Sequence, residues 1–244
     1  MPVNAFDQPI GEPLADWQPL SAPPRTPMEG RFCRIEPIDV ERHGSDLFRA
    51  LHLKGSESNW TYLPYGPFAD EAAFRDWMAA SCLGADPLFH AIVDRASGKA
   101  VGVASYLRIE PRTGVIETGH IHYSPLLQRR PAATEAMVLM MRRVFSELGY
   151  RRYEWKCDAL NAPSRQAALR LGFRFEGIFR QATIYKGRNR DTAWYSILDR
   201  EWPALSTAFQ QWLDPQNFDQ RGVQKASLGT LIETARATPT VGAT

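Results

Sequence analysis

Three strand-like segments followed by a long helical one most limit what this chain can fold into. Residues 88–94, 99–108 and 114–123 have the residue types of strands and are separated by turn residues, which suits an antiparallel meander. Residues 132–148 then place apolar side chains at helical spacing, and Gly149 follows as a C-cap. A long helix after three strands predicts that the chain crosses over before it returns to the sheet.

The remaining segments extend this alternation of strands and helices. Residues 31–37 predict a first strand, and Asp39 and Asp70 predict N-caps for helices over 40–53 and 71–83. Further along we predict a strand over 153–157, a helix over 161–171, a closing hairpin of 173–185 with 192–198, and helices over 203–213 and 227–235. This order predicts an α/β (α+β) domain with a mixed sheet.

Both ends of the chain differ from the middle. Residues 1–30 contain seven prolines and little periodicity, so we expect an extended arm on the surface. Residues 236–244 carry no apolar pattern, and we expect disorder there.

The composition excludes several classes of protein. Hydrophobic residues make up 44% and charged residues 23%, with a net charge of +2, as in ordinary globular proteins. The basic residues form no block, so we expect no nucleic-acid partner. No stretch reaches about 18 apolar residues and the N-terminus lacks a secretion signal, so we expect no membrane association and a cytoplasmic location. The cysteines Cys33, Cys82 and Cys157 lack zinc-ligand spacing, so we expect buried thiols and no metal.

The junction at residues 121–134 is the first candidate binding site. A strand ends there, a short turn carries Arg129 and Arg130, and a long helix begins. Helix N-termini expose unpaired amides at the positive end of the helix dipole and bind phosphates readily. Small Ala132 and Ala133 would let a ligand approach the backbone. An ordinary turn with two solvated arginines stays open as the alternative.

A second candidate segment covers residues 161–173. It begins with Asn161, followed by a short helix containing Ser164, and it ends in Gly172-Phe173. Asn at this position is also a common N-cap, which is the alternative. The two segments in this order favour a ligand site more than either alone.

These segments resemble the GNAT superfamily of acetyltransferases, in the branch similar to ribosomal-protein N-terminal acetyltransferases. The family's phosphate-binding loop, Q/R-x-x-G-x-G/A, corresponds to residues 128–133, in which Pro131 replaces the first glycine and Ala133 the second. Pro131 removes one backbone donor but is a natural first helical residue. The family's N-x-x-S, L-G-F and E-G motifs correspond to Asn161 with Ser164, residues 171–173 and residues 176–177.

The resemblance implies a fold and an activity. It implies a mixed, mostly antiparallel sheet of about seven strands flanked by helices, in a domain over 30–202 between the arm (1–29) and a C-terminal helical extension (203–244). It also implies transfer of an acetyl group from acetyl-CoA to a primary amine, either a peptide N-terminus or a small amine, by direct attack in a ternary complex. A non-catalytic sensor of acyl-CoA is the alternative, and the arm and extension leave a homodimer open.

Site residues follow from the matched positions. The resemblance implies that acetyl-CoA contacts Ile121, His122, Tyr123, Gln128, Arg129, Arg130, Ala132, Ala133, Thr134, Asn161, Ser164 and Arg165. Arg170 is an alternative to Arg165 for the adenosine phosphate.

Two residues compete as the general base. Glu117 and His120 lie on the same predicted strand, and their opposite parity puts them on opposite faces unless a bulge intervenes; His120 and His122 share a face. Many relatives have a tyrosine that protonates the departing thiolate, but in this sequence that position is Ala168. The resemblance therefore leaves Ser164 as the general acid, or no dedicated acid. For the acceptor amine we expect Trp60, Tyr62 and Tyr65, with partial core packing as the alternative.

Overall fold

Eight strands form one sheet in this computed structural model, which describes residues 1–237. The strands are β1 (Met28–Glu29), β2 (Cys33–Pro37), β3 (Leu88–Asp94), β4 (Ala100–Glu110), β5 (Val115–Tyr123), β6 (Arg152–Asp158), β7 (Arg174–Tyr185) and β8 (Arg188–Leu198). Their order is β1-β2-β3-β4-β5-β6-β8-β7. Every neighbouring pair is antiparallel except β5 and β6, which are parallel. The mixed, mostly antiparallel sheet is confirmed, and the two-residue β1 brings its strands to eight.

In the part of the chain that the structure describes, six α-helices pack around the sheet. They are α1 (Val40–Leu51), α2 (Glu71–Ser81), α3 (Pro131–Arg142), α4 (Ala162–Arg170), α5 (Trp202–Leu213) and α6 (Leu228–Ala237). The predicted N-caps are confirmed, because Asp39 accepts a hydrogen bond from the Arg42 amide and Asp70 accepts one from the Ala73 amide. Within residues 1–237, no helix combines the length and apolar character needed to cross a membrane.

The two faces of the sheet pack against different helices. On one face, buried side chains of α3, α5 and α6 join β4, β5 and β6 in the larger apolar core. On the other face, α1 and α2 pack on β3 and β4 with Trp60 between them. Cys33, Cys82 and Cys157 are all buried free thiols, as predicted.

Helix α3 ends earlier than the sequence predicts. It stops at Arg142, and residues Arg143–Glu147 form a wider π turn in which the Leu148 amide bonds to the Arg143 carbonyl at 3.0 Å. The Arg143 side chain is buried and donates to the carbonyls of Thr26 (2.6 Å) and Pro27 (3.0 Å). The turn therefore accompanies a buried arginine that anchors the N-terminal segment.

The closing hairpin is tighter than predicted. Lys186 and Gly187 both have positive φ angles, 48° and 69°, which a two-residue hairpin turn of type I′ requires. As a result β8 begins at Arg188, four residues before the predicted start at 192. Arg190 thus belongs to a strand.

The N-terminal arm and the described part of the C-terminal extension pack on the rest of the domain. The Trp17 indole donates to the Arg112 carbonyl at 2.8 Å, and Tyr150 donates to the Ser21 carbonyl at 3.1 Å. Arg236 and Ala237 end α6, so the part of the predicted disordered end that starts at 238 lies outside the described residues. The limits of the arm and of the extension stay predictions.

Gly172 explains how the C-terminal helices approach the core. Its φ is +87°, and a Cβ at this position would lie 2.5 Å from the Leu205 side chain of α5. Its carbonyl accepts a hydrogen bond from Arg236 at 2.6 Å. Glycine is therefore required here both by backbone conformation and by close packing.

Glu135 joins α3 to the loop before β2. Its carboxylate is buried and accepts hydrogen bonds from the backbone amides of Arg31 (2.7 Å), Phe32 (2.6 Å) and Cys33 (2.8 Å). Hydrogen bonds to a charged acceptor are stronger than neutral ones, and buried amides without partners are costly. This side chain therefore fixes the first turns of α3 relative to the sheet edge.

We expect Glu135→Ala to lower the free energy of unfolding by about 3 kcal/mol or more, because it leaves buried amides unpaired. Glu135→Gln keeps one acceptor oxygen and should lose less. Urea denaturation measures both changes through the transition midpoint. The control is Glu233→Ala at an exposed position of α6, with an expected change within about 0.5 kcal/mol. Equal midpoints for Glu135→Ala and Glu233→Ala would contradict this role.

Candidate functional site

The parallel strands β5 and β6 separate in the middle of the sheet. Their pairing covers only residues 115–118 of β5 and 152–155 of β6. Beyond Thr118 and Trp155, β5 continues along β4 and β6 continues along β8. The separation creates a wedge-shaped gap, and the backbone edge of β5 from Gly119 onward faces it.

A β-bulge in β5 lies directly at this gap. Gly119 pairs with Ser105 and His122 pairs with Val103, so two residues of β5 stand opposite Ala104 alone. His120 has a φ of +49°, which marks the extra residue. The bulge interrupts the alternation, and Glu117 and His120 line the same cavity instead of opposite faces.

The cavity has a volume of about 540 Å³ and opens from the gap. Its walls are the diverging strands, the loop at residues 62–64, the start of α4, and the hairpin of β7 and β8. Residues on these walls include Tyr62, Ile121, Ser164, Tyr185, Arg190 and Trp194. A molecule in the cavity would therefore touch both the gap and the hairpin.

A buried lysine neutralises the carboxylates beside the cavity. The Lys156 ammonium lies 2.9 Å from Glu117 and 2.8 Å from Glu154, and 3.7 Å from the centre of the Trp194 ring. Arg108 donates to Glu117 at 2.7 Å from the exposed side. Buried charges persist only when they are paired, and these pairs hold Glu117 in a fixed position.

The two candidate bases have pKa values shifted in opposite directions. Burial raises the pKa of Glu117, and the charges of Lys156 and Arg108 oppose that shift. Burial lowers the pKa of His120 to about 4, and the charges of Arg108 and Arg190 add to the effect. His120 is therefore a neutral imidazole at pH 7, with Nδ1 3.3 Å from the Tyr65 hydroxyl. Both side chains have unprotonated forms that can accept a proton.

The start of α4 places a hydroxyl group at the gap. Asn161 is the N-cap, because its side-chain oxygen accepts a hydrogen bond from the Ser164 amide at 3.1 Å. The Ser164 hydroxyl accepts a hydrogen bond from the Trp155 indole at 3.0 Å. It keeps its own hydrogen for another acceptor. Asn161 and Ser164 both line the cavity.

The N-terminus of α3 resembles an anion site. The N-cap is Arg130, Pro131 is the first helical residue, and no side chain caps the helix amides. Arg129 and Arg130 are exposed, and within residues 1–237 their guanidinium groups form no ion pair. An uncapped helix N-terminus beside two unpaired arginines suits a phosphate group.

Side chains around this turn hold its shape. Gln128 donates to the Tyr123 carbonyl at 2.8 Å, and the Tyr123 hydroxyl donates to the Ala133 carbonyl at 3.3 Å. Ala132 is buried beneath the turn. These two hydrogen bonds fix the end of β5 relative to the turn and to the start of α3.

The two arginines of α4 point to different places. Arg170 donates to the Thr134 hydroxyl at 3.0 Å, in the first turn of α3. Arg165 donates to the Tyr195 hydroxyl (3.0 Å) and to the Ala159 carbonyl (3.1 Å). Arg170 therefore lies at the anion site, whereas the guanidinium of Arg165 is tied to β8 and to the end of β6.

The aromatic residues predicted to bind the acceptor amine lie in different places, some in the core and some at the cavity. Trp60 is only 2% exposed and packs edge-on against His122, with ring centres 4.3 Å apart, so it is a core residue and lines no part of the cavity. Tyr65 is half-buried beneath His120. Tyr62 lines the cavity, and its hydroxyl donates to the Leu160 carbonyl at 3.1 Å. The alternative of core packing is correct for Trp60.

Most of the charged residues that line the cavity were not predicted from the sequence, namely Arg108, Lys156, Asp158 and Arg190. On β6 the charged residues Glu154, Lys156 and Asp158 alternate with buried apolar ones, and this alternation in the middle of a sheet was the available signal. Arg190 and Trp194 show the same period on β8. In residues 1–237, no three His, Cys, Asp or Glu side chains are grouped so that they could hold a metal ion.

Comparisons with known proteins agree with this geometry. Residues 38–174 match the family model described as an acetyltransferase (GNAT) domain. A crystal structure of a GCN5-related N-acetyltransferase from Brucella melitensis is 51% identical, covers 90% of this chain and 100% of its own, and has a TM-score of 0.89. The uncharacterized N-acetyltransferase p20 of Bacillus licheniformis is 28% identical over 149 residues, 58% of this chain and 80% of that protein.

One further structure shares the fold at low sequence identity. It is an acetyltransferase from Salmonella typhimurium that modifies the N-terminal serine of the 50S ribosomal subunit protein L7/L12. It is 19% identical, covers 69% of this chain and 96% of its own, and has a TM-score of 0.57. At this identity the similarity concerns the fold.

We expect Lys156→Met to raise the pKa of Glu117 further, because it removes a positive charge that lies 2.9 Å from the carboxylate. At neutral pH the variant then carries more protonated Glu117 than the wild type. Carboxyl NMR titration measures this shift, with Glu117→Gln identifying the signal. The control Lys99→Met removes an exposed lysine outside the cavity and should leave the Glu117 titration unchanged. An unchanged titration in Lys156→Met would show that this ion pair does not set the pKa.

Proposed function

This chain belongs to the acetyltransferase (GNAT) family, and we propose that it transfers an acetyl group from acetyl-CoA to a primary amine by direct attack in a ternary complex. The observation that carries the proposal is the gap between β5 and β6. An uncapped helix N-terminus lies where β5 ends, and a cavity with two candidate bases opens from the gap itself. Both substrates can then meet at the bulge.

The residues around α3 fit the phosphate end of acetyl-CoA. The amides of the first turn of α3, which no side chain caps among the described residues, would donate to the pyrophosphate, and Arg129 and Arg130 would add positive charge. Pro131 provides no amide, so the two arginines carry more of the binding. Gln128 and Tyr123 hold the turn in place, and Arg170 reaches it from α4.

The backbone edge of β5 fits the arm that leads to the thioester. Acetyl-CoA supplies the activated acetyl group. Backbone groups of residues 119–123 would pair with its amide arm, and a main-chain amide there would stabilise the negative charge that develops on the acetyl oxygen. Asn161 and Ser164 face the same gap from α4.

Proton transfer completes the reaction. The amine nitrogen forms a bond to the acetyl carbon, the carbon–sulfur bond breaks, and the nitrogen loses one proton. Glu117 would take that proton, directly or through a water, and His120 is the alternative acceptor. The Ser164 hydroxyl would donate a proton to the departing thiolate, or the thiolate would leave without a dedicated acid.

The acceptor is a small amine or a peptide N-terminus that fits the cavity. A cytoplasmic location and a homodimer remain predictions. The alternative function is a sensor that binds acyl-CoA without transfer.

We expect thiol release from acetyl-CoA in the presence of at least one class of amine, tested with peptides, polyamines, amino acids and amino sugars. Glu117→Gln should lower kcat by about 10²–10⁴-fold, because it removes the base. Calorimetry should show unchanged CoA affinity in the same variant. His120→Gln is the matched test of the alternative base, and the larger loss identifies the base. CoA binding without thiol release from any amine would favour the sensor.

We expect Arg129→Gln and Arg130→Gln each to lower kcat/KM for acetyl-CoA by about tenfold, because each removes a charged contact to phosphate. With acetyl-pantetheine, which has no phosphate groups, the same variants should match the wild type. Steady-state kinetics with both acetyl donors measure the difference. An equal loss with both donors would place the two arginines outside the phosphate site.

A further inference from the structure

Arg190 is a charged side chain of the cavity that has no hydrogen-bond or ion-pair partner among the described residues; its guanidinium lies 5.9 Å from the centre of the Tyr185 ring. It lies on β8 opposite Thr183 of β7, and it lines the cavity beside Tyr185. Within residues 1–237 its guanidinium group makes no hydrogen bond and no ion pair, and its Nε atom is shielded from solvent without a partner. Burying part of a cation without a counter-charge is unfavourable, so a site of this kind calls for a negative group from outside the described chain.

The other charges around the cavity are already paired. Arg108 and Lys156 neutralise Glu117, and Lys156 also contacts Glu154. Asp158 accepts hydrogen bonds from the Tyr185 hydroxyl and from the Leu160 amide, both at 2.8 Å. Each of these groups already has a charged or a hydrogen-bonding partner. Among the described residues that line the cavity, Arg190 is the cation that has neither, so we assign recognition of a negatively charged acceptor to it.

A second donor lies on the same face of β8. The Trp194 indole nitrogen is shielded from solvent, and no described residue accepts its hydrogen. Strand alternation puts Arg190, Thr192 and Trp194 on the cavity side, and all three line the cavity. Two donors without partners on one strand face suit an acceptor-rich group such as a carboxylate.

The position of Arg190 also suits an amine near the bulge. Burial and the charge of Arg108 lower the pKa of His120, and the charge of Arg190 adds to the effect, so Arg190 lies within electrostatic reach of His120. A carboxylate held by Arg190 would leave an amine a few bonds away, near His120 and Glu117. The same molecule would fill both ends of the cavity.

We infer that the acceptor amine carries a carboxylate, and that Arg190 binds this carboxylate in the cavity formed by β5, β6 and the hairpin. The inference rests on the proposed function, which it deepens by naming a substrate class. The carboxylate belongs either to a free amino acid or to an acidic residue near the N-terminus of a short peptide. Guanidinium groups bind carboxylates through two parallel hydrogen bonds, which selects for this group over an uncharged amide.

The test compares acceptors that differ only in this group. Amino acids are paired with their carboxamides, and dipeptides with Asp or Glu in second place are paired with their Asn or Gln counterparts. We expect Arg190→Gln to lower kcat/KM for the carboxylate member by about 10- to 100-fold and to change the amide member by less than about twofold. The pair with the larger loss identifies the source of the carboxylate. Arg190→Lys keeps the charge but loses the planar donors. Its kcat/KM for the carboxylate member should lie between those of the wild type and Arg190→Gln.

The control variant is Arg188→Gln. Arg188 lies on the same strand, is exposed, and does not line the cavity, so both members of each pair should react as with the wild type. Thermal unfolding of each variant confirms that the fold is intact. Equal losses for carboxylate and amide acceptors in Arg190→Gln, each measured relative to the wild type with the same acceptor, would overturn the inference.

A binding measurement separates this inference from the proposed function. Calorimetry with N-acetyl amino acids and their amides needs no turnover. If no amine releases thiol but the wild type binds the N-acetyl acid at least tenfold more tightly than Arg190→Gln does, transfer fails and the carboxylate site stands. If neutral amines are acetylated and Arg190→Gln has no selective effect, transfer stands and the carboxylate site fails.

Discussion

The bulge at His120 is the structural constraint on which the candidate site depends. With regular alternation, Glu117 and His120 would face opposite sides of the sheet. The extra residue brings both side chains to one cavity and lies at the point where β5 and β6 part. A positive φ in a non-glycine residue costs about 1–3 kcal/mol. Packing of His120 against Phe89, with ring centres 4.8 Å apart, helps to offset that cost.

Lys156 makes a carboxylate possible inside the sheet. Glu117 is only 3% exposed, and without a counter-charge burial would favour its neutral form. Lys156 and Arg108 favour the anion, so two opposed effects act on the same group. A general base needs both effects. The ion pairs keep the carboxylate ionised, and burial lets it hold a proton more tightly than an exposed carboxylate does. The ion pairs therefore belong to the chemistry of the site as well as to its stability.

Local rules predicted the regular parts of the molecule better than the site. Asp39 and Asp70 were predictable as helix caps because each side chain bonds to the backbone amide three residues further along the chain. The bulge at His120 follows instead from the way that β5 pairs with β4 while leaving β6, which no local pattern in the sequence expresses. Trp60 looked like a ligand aromatic because composition does not reveal that α1 and α2 enclose it. Arg190 was missed because the hairpin turn is shorter than the loop we predicted.

The segments outside the family match brace the two helices of the proposed acetyl-CoA site. The match covers residues 38–174, yet Glu135 of α3 is bonded to residues 31–33, and Arg143 beyond α3 is bonded to residues 26 and 27. On the other side, Leu205 and Arg236 pack against Gly172 directly after α4. The turn before α3, which we propose binds phosphate, and the Ser164 hydroxyl on α4 are positioned by these two helices. The distance between them therefore depends on contacts that the matched region does not contain. A chain reduced to the matched region would keep the candidate site residues up to β7 and lose the contacts that set the distance between them.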